Sequence, residues 1–382
     1  MEKNTLIACL LSILLGVFCT SCKDDPIQTA DEKHVAILEQ YVNHTIAPTY
    51  THLANYSEQL VSDLQALRDD RTQSNLNRAC ETFLSARSWW EKSEAFLFGA
   101  ASDFGIDPHI DSWPLDVDAF NTMMTNTAQI EAMDAEDGDV YAGEKLGNSL
   151  LGFHGIEYIL FSNGSPKNAS ELTELELIYA IAVAGDLRNR CFQLEVSWLG
   201  NAAPRSHRDK LEELELNCTV NGGSYSYGTN LVKAGTLGST YASSISGLMA
   251  IVDGCRTIAD EVGTSKIGKP YNGEDPNYIE SPYSHKSIED FYNNILSIEN
   301  AYWGGVDGER NEELSLHAYV KELDGLLDAR VLEAIGNAKN KIQAMPVPFV
   351  ENYTNQANAA AIEACQHLDE VLSDVNELLS KN

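Results

Sequence analysis

Basic residues are scarce in this chain. Lys and Arg total 26 against 57 Asp and Glu, a formal charge of −31 over 382 residues. Binding nucleic acid needs a basic face to neutralise phosphates, so this balance argues against that class of partner. Long apolar runs are also lacking, and Leu6–Phe18 (LIACLLSILLGVF) is too short to span a bilayer as a permanent helix. No useful length alternates polar and apolar residues at period two, which leaves little room for strands. The chain has no HExxH, no GxSxG and, beyond residue 22, no CxxC. The usual signatures of zincins, serine hydrolases, zinc ribbons and thioredoxin-like proteins are therefore missing. What is present is a globular composition, 43% apolar and 22% charged, long enough for two ordinary domains.

The first 22 residues read as a targeting segment outside the fold. Lys3 gives a basic start, the apolar core follows, and Cys19-Thr20-Ser21-Cys22 resembles the lipobox of bacterial lipoproteins, with Cys19 where leucine is usual. Lys23-Asp24-Asp25 looks like the acidic export tag of Bacteroidota surface lipoproteins. The expectation is a lipid on Cys22 that tethers the protein to the membrane of the cell envelope, the outer membrane, with residues 23–30 as tether. Cys80, Cys191, Cys218, Cys255 and Cys365 remain, odd in number and widely spaced. Disulfides and buried free thiols both stay open for them.

Helical periodicity dominates the rest. Leu53, Tyr56, Leu60, Leu64 and Leu67 recur at three- and four-residue steps, as do Leu76, Ala79, Phe83, Ala86 and Trp90. Helices are also expected over 172–199, 207–216, 239–262, 287–301, 314–344 and 358–379, with Pro48 kinking or restarting the first one. Residues 99–114 and 264–282 read as loops. The fold class is all-α, two helical bundles packed side by side, divided as 31–205 and 206–382.

The run Gly147–Phe161 (GNSLLGFHGIEYILF) carries one histidine and one glutamate near neutral pH. On a helix His154 and Glu157 share a face, and the other faces are apolar, so the helix is expected to be buried. A buried carboxylate needs a partner, a cation or a proton. Gly152 and Gly155 each cost roughly 1 kcal/mol in a helix interior, which close approach of another helix or a ligand would offset. A structural His–Glu bond and a site are both compatible with this pattern. Glu94 falls on the line of Phe83, Ala86, Trp90 and Leu97, where a bundle core is expected. Glu and His from facing helices are a recurrent way to hold iron or manganese. Asp116, in the acidic run Asp111–Asp118, reads as an additional ligand or as a helix cap.

Four runs also carry a family resemblance: Gly152-Phe153-His154-Gly155-Ile156-Glu157, Trp90–Gly99, Asp111–Asp116 and Glu280–Gly304. Together they resemble the imelysin family, also called peptidase family M75, and the first matches its GxHxxE motif. The resemblance implies two helical bundles with the motif near their interface. It further implies a role in bacterial iron or haem acquisition alongside envelope transport components, with iron or another divalent metal at the HxxE residues and nearby acids. It brings Ser281, Ser284 and His285 into consideration as a loop facing the motif, where they otherwise read as a helix cap and a surface histidine. Arg330 is a possible counter-charge for Glu157. The family label leaves a metal-dependent peptidase as the alternative, and a surface adaptor with a purely structural motif as a third reading.

Overall fold

The computed structural model describes residues 29–382. Cys22 and the segment before residue 29 lie outside the described residues.

Helix α1 (Ala30–Tyr41) starts at Thr29, whose hydroxyl and Glu32 form a capping box. A wide turn, Val42–Ile46, joins it to α2 (Ala47–Asp69), and Pro48 sits in the first turn of α2. Proline lacks an N–H and collides with the carbonyl four residues back, so a locally widened helix ahead of it lets the chain continue with a restart. Helix α3 (Gln73–Glu91) is capped by Thr72. After several short helices and turns come α4 (Gly152–Leu160) and α5 (Glu174–Leu199), the latter opened by a Thr173–Glu176 capping box. Then follow α6 (Ser244–Glu261), α7 (Ser287–Tyr302), α8 (Leu316–Leu323), α9 (Gly325–Gln343) and α10 (Ala359–Leu379). The continuous helix expected over 314–344 is broken at Asp324. Its carboxylate leaves the first helix to cap the second, accepting from the N–H groups of Leu326 and Leu327. The strand content among the described residues is one two-residue pair, Phe161–Ser162 with Ser165–Pro166.

The architecture is all-α, with two bundles side by side. In one, α2, α3 and α5 pack together and α4 lies across α3 and α5. In the other, α6, α7, α9 and α10 pack together. The α3–α7 contact joins them, and the apolar core runs continuously through both. The expected division at residue 205 does not coincide with a change of packing partner. Helix α1 packs against α6, and His34 bonds Ser244 at 2.9 Å and Tyr319 at 2.7 Å in the second bundle. Conversely, the helix Arg205–Glu213 packs on α5, where Leu211 closes a small cluster with Ala54, Phe192 and Val196. Cys80, Cys191, Cys218, Cys255 and Cys365 are all free thiols. No helix among the described residues is long and apolar enough to cross a membrane.

Candidate metal centre

Two glycines set the geometry of the motif helix. Leu151 is extended and Gly152 takes φ +67°, so α4 begins at Gly152 rather than continuing back through Leu150 as the sequence pattern suggested. A Cβ at Gly152 would lie 1.9 Å from the Ile110 carbonyl oxygen. The absent side chain thus lets the turn ending at Ile110 press onto the start of α4, which puts the next residue, Asp111, beside His154. A Cβ at Gly155 would lie 2.2 Å from the Tyr179 hydroxyl, which donates to the Leu150 carbonyl at 2.7 Å.

His154 uses both ring nitrogens. Nε2 faces Asp111 Oδ1 at 3.1 Å and Nδ1 faces Glu157 Oε2 at 3.3 Å. Burial would lower the imidazole, but the bonds to Asp111 and Glu157 outweigh it and raise His154 to about 9. Glu157 is committed elsewhere too. Its Oε1 accepts from the N–H groups of Tyr283 and Ser284 at 3.1 and 2.8 Å, and from the Ser284 hydroxyl at 2.7 Å. Those donors converge because the turn is tight: Ser281 and His285 both sit at positive φ, +51° and +60°. Glu157 therefore docks the motif helix onto the second bundle and orients the histidine, as a carboxylate behind a metal-binding imidazole does.

The chemistry-bearing cluster lies on the Nε2 side. Arg87, fully buried on α3, donates to Asp111 and to Glu280, and its guanidinium lies 2.6 Å from Glu91. Asp111 also accepts from Trp90 Nε1 at 2.6 Å. Lys266, equally buried, reaches Glu280 at 3.2 Å and stands 3.8 Å from both Glu91 and Glu94. Asp290 accepts from Ser281, and Asn294 donates to Glu91. Six buried carboxylates (Glu91, Glu94, Asp111, Glu157, Glu280 and Asp290) thus face two fixed cations and one imidazole. Uncompensated buried charge is costly, so the site must hold protons or a cation. Burial raises Glu91 to about 7 despite Arg87, and raises Glu94 and Asp290 well above the ordinary carboxylate range. Asp111 goes the other way: burial would raise it, but Arg87 and His154 hold it well below.

Ligand-type atoms of Asp111, His154 and Glu280 lie within 4.8 Å of one another, and so do those of Glu91, Glu94 and Asp111. Glu280 Oε2 is buried and has no hydrogen-bond partner among the described residues. An imidazole nitrogen and two carboxylates, one of them with an orphaned oxygen, are a donor set that iron, manganese or zinc accepts.

The sequence model of the imelysin (peptidase M75) family matches residues 46–375. This chain belongs to the imelysin family. It is similar to iron-regulated protein A of Synechococcus elongatus, 24% identical over 343 residues, which covers 89% of this chain and 84% of that protein. Among solved structures it is similar to one described as an iron-regulated protein A precursor from Parabacteroides distasonis. That match has 27% identity and a TM-score of 0.73, and covers 93% of this chain and 97% of the other. An imelysin-like protein from Psychrobacter arcticum shares the fold at a TM-score of 0.58, with 14% identity over 92% of this chain and 94% of the other.

Within this imelysin fold the residues singled out from sequence separate into groups. His154, Glu157 and Ser284 meet directly, and Ser281 joins through Asp290. Glu94 is buried one step away, in a 3₁₀ turn after α3, touching the cluster through Lys266. Asp116 is not in the site. It is exposed and caps the helix Val117–Met124 by accepting from the Ala119 N–H at 2.9 Å, and Asp111 takes the place expected of it. His285 turns away to pack on Gly164, where a Cβ would meet its ring at 2.7 Å. Arg330 pairs with Asp374 on the surface of the second bundle, far in partners from Glu157. The sequence reading gave no site role to Arg87, Glu91, Asp111, Glu280, Asp290 or Lys266. Glu91, Asp111, Glu280 and Asp290 stand inside the family-like runs and were legible there. Lys266 carried no signal, because the turn Val262–Ile267 that buries it reads as loop.

Proposed function

We propose that this imelysin is a non-catalytic cell-envelope protein that binds iron, or a ligand carrying iron, through Asp111, His154 Nε2 and Glu280. The observation that carries this reading is the convergence of those three ligand types within 4.8 Å inside a cluster whose carboxylates outnumber its fixed cations. A bound metal would supply the missing positive charge. Glu157 would hold the imidazole from behind, and Arg87 would keep Asp111 and Glu280 side by side. The similarity to iron-regulated protein A supports iron as the metal. The lipobox-like Cys22 supports a lipid tether in the outer membrane, and iron or haem transport components of the envelope are the fitting partners.

The peptidase reading is the weaker one. It needs a carboxylate free to act as base beside a metal-activated water, and the Oε1 of Glu157 is already taken by three donors. The test is elemental analysis and anaerobic Fe²⁺ titration of wild type, His154→Ala and Glu280→Gln. Stoichiometric binding in wild type that is lost in both variants supports the proposal; negligible binding in all three sinks it.

A further inference from the structure

A cleft opens beside the buried cluster, along α6. Its outer part, about 660 Å³, is walled by Leu97, Phe98, Pro108, Tyr241 and Ile258. Its inner part, about 210 Å³, ends at Asp111, Trp113 and Lys266. The two parts share Glu94, Asp107 and Glu261 in their lining, so they form one continuous recess. These three carboxylates come from three different segments, the turn after α3, the Asp107–Ile110 turn and the end of α6. The side chains of all three lack a hydrogen-bond donor among the described residues. Glu94 is 94% buried and still lines both parts; its nearest cation, Lys266 Nζ, stands at 3.8 Å, outside hydrogen-bonding reach. Lys266 is the one cationic side chain lining the recess among the described residues.

A buried, unbonded carboxylate facing a cavity is expensive unless it holds a proton or something enters to pair with it. The shape of the recess says what kind of thing. A hydrated metal ion has no use for apolar walls, whereas an alkyl chain ending in ammonium or guanidinium buries its methylenes against them and places its charge among the acids. An anionic ligand would meet the same carboxylates as repulsion.

We infer that this recess is a binding site for an organic cation, an alkylamine or alkylguanidine, lodged with its charged end between Glu94, Asp107 and Glu261. The recess adjoins the proposed metal site, since Asp111 closes its inner end, but no atom of His154, Glu157 or Glu280 lines it. The aliphatic part lies along Leu97, Phe98 and Ile258, and the ammonium hydrogens bond the three carboxylates.

Isothermal titration calorimetry with 1,5-diaminopentane and with spermidine tests this on the intact chain, with glutarate as an anion of similar length and Mg²⁺ as a simple cation. Saturable amine binding is expected, weakened at least tenfold in Glu261→Gln and in Asp107→Asn and unchanged in His154→Ala. Neither substituted side chain accepts a hydrogen bond within the described fold, so both variants keep it, and their thermal melting midpoints check this. No saturable amine binding overturns the inference, as does equal binding in wild type and both variants. Binding of glutarate with similar affinity, or displacement of the amine by Mg²⁺ at equal concentration, also overturns it. Fe²⁺ titration of the same samples keeps the two sites apart: His154→Ala loses iron and retains the amine, while Glu261→Gln does the reverse.

Discussion

Raising the pH from 6 to 8 is expected to strengthen divalent-cation binding at His154 about a hundredfold, and the reason lies in its two hydrogen bonds. With the imidazole raised to about 9, the ring is protonated on both nitrogens near neutrality, and the Nε2 hydrogen points at Asp111. A cation on Nε2 must displace that hydrogen. Two pH units below the titration point correspond to about 2.7 kcal/mol, so affinity at pH 7 is about 100-fold below that of a neutral imidazole. Over the range 6 to 8 each unit changes affinity about tenfold. Calorimetry with Mn²⁺ in buffers of differing ionisation enthalpy is expected to report about one proton released per ion. More are released where Glu91, raised by burial to about 7, gives up its own. His154→Gln is expected to remove one proton from that count. Measurable wild-type binding whose affinity ignores pH, with heats independent of buffer, would refute the reasoning.

Gly155→Ala is expected to cost about 1–3 kcal/mol in urea unfolding, since the new methyl meets the Tyr179 hydroxyl, and Tyr179→Phe in the same chain is expected to recover part of the loss. Strictly additive losses in the double variant would mean that the clash is not the cause. Arg87→Met leaves Asp111, Glu91 and Glu280 without their shared partner and is expected to cost about 3–5 kcal/mol; a loss under about 1 kcal/mol would contradict this. Asp116→Ala removes a helix cap at about 1 kcal/mol, with metal affinity unchanged; a fall in affinity would return Asp116 to the site. Glu91 and His154 titrate higher in the fold than their ordinary values of 4.5 and 6.5. Their stabilisation is therefore complete below those values and lost as pH rises through about 7 and about 9, so metal-free stability is expected to decline from pH 5 to 9. A melting temperature that climbs across that range would contradict the sign.

The helices were readable because each must bury a stripe, and a stripe shows as three- and four-residue spacing. Capping residues such as Thr173 and Glu176 fix their ends in the fold. Where the reading slipped, a backbone choice had overridden the pattern. The Gly147–Phe161 run looks like one helix, yet the positive φ of Gly152 starts it later, and the Leu314–Ala344 run is cut by Asp324 acting as a cap. The site was half readable for a related reason. His154 and Glu157 stand out because they interrupt an apolar face. Arg87 and Glu91 look like ordinary charges on a solvated turn of α3 until α7 is packed against them.

The sequence by itself determined that the chain is helical and acidic, and that a histidine and a glutamate share one buried helix face. Those properties follow from local spacing and composition, which need no knowledge of what packs where. Only the tertiary structure decided which acids meet His154: Asp111 rather than Asp116, and Glu280 from a loop more than a hundred residues away. It also decided that Glu157 serves as a clamp across the two bundles and that Lys266 lies inside the cluster. Each of these depends on the pairing of segments distant in the chain, and the cost of burying charge makes that pairing selective only after the bundles close on each other.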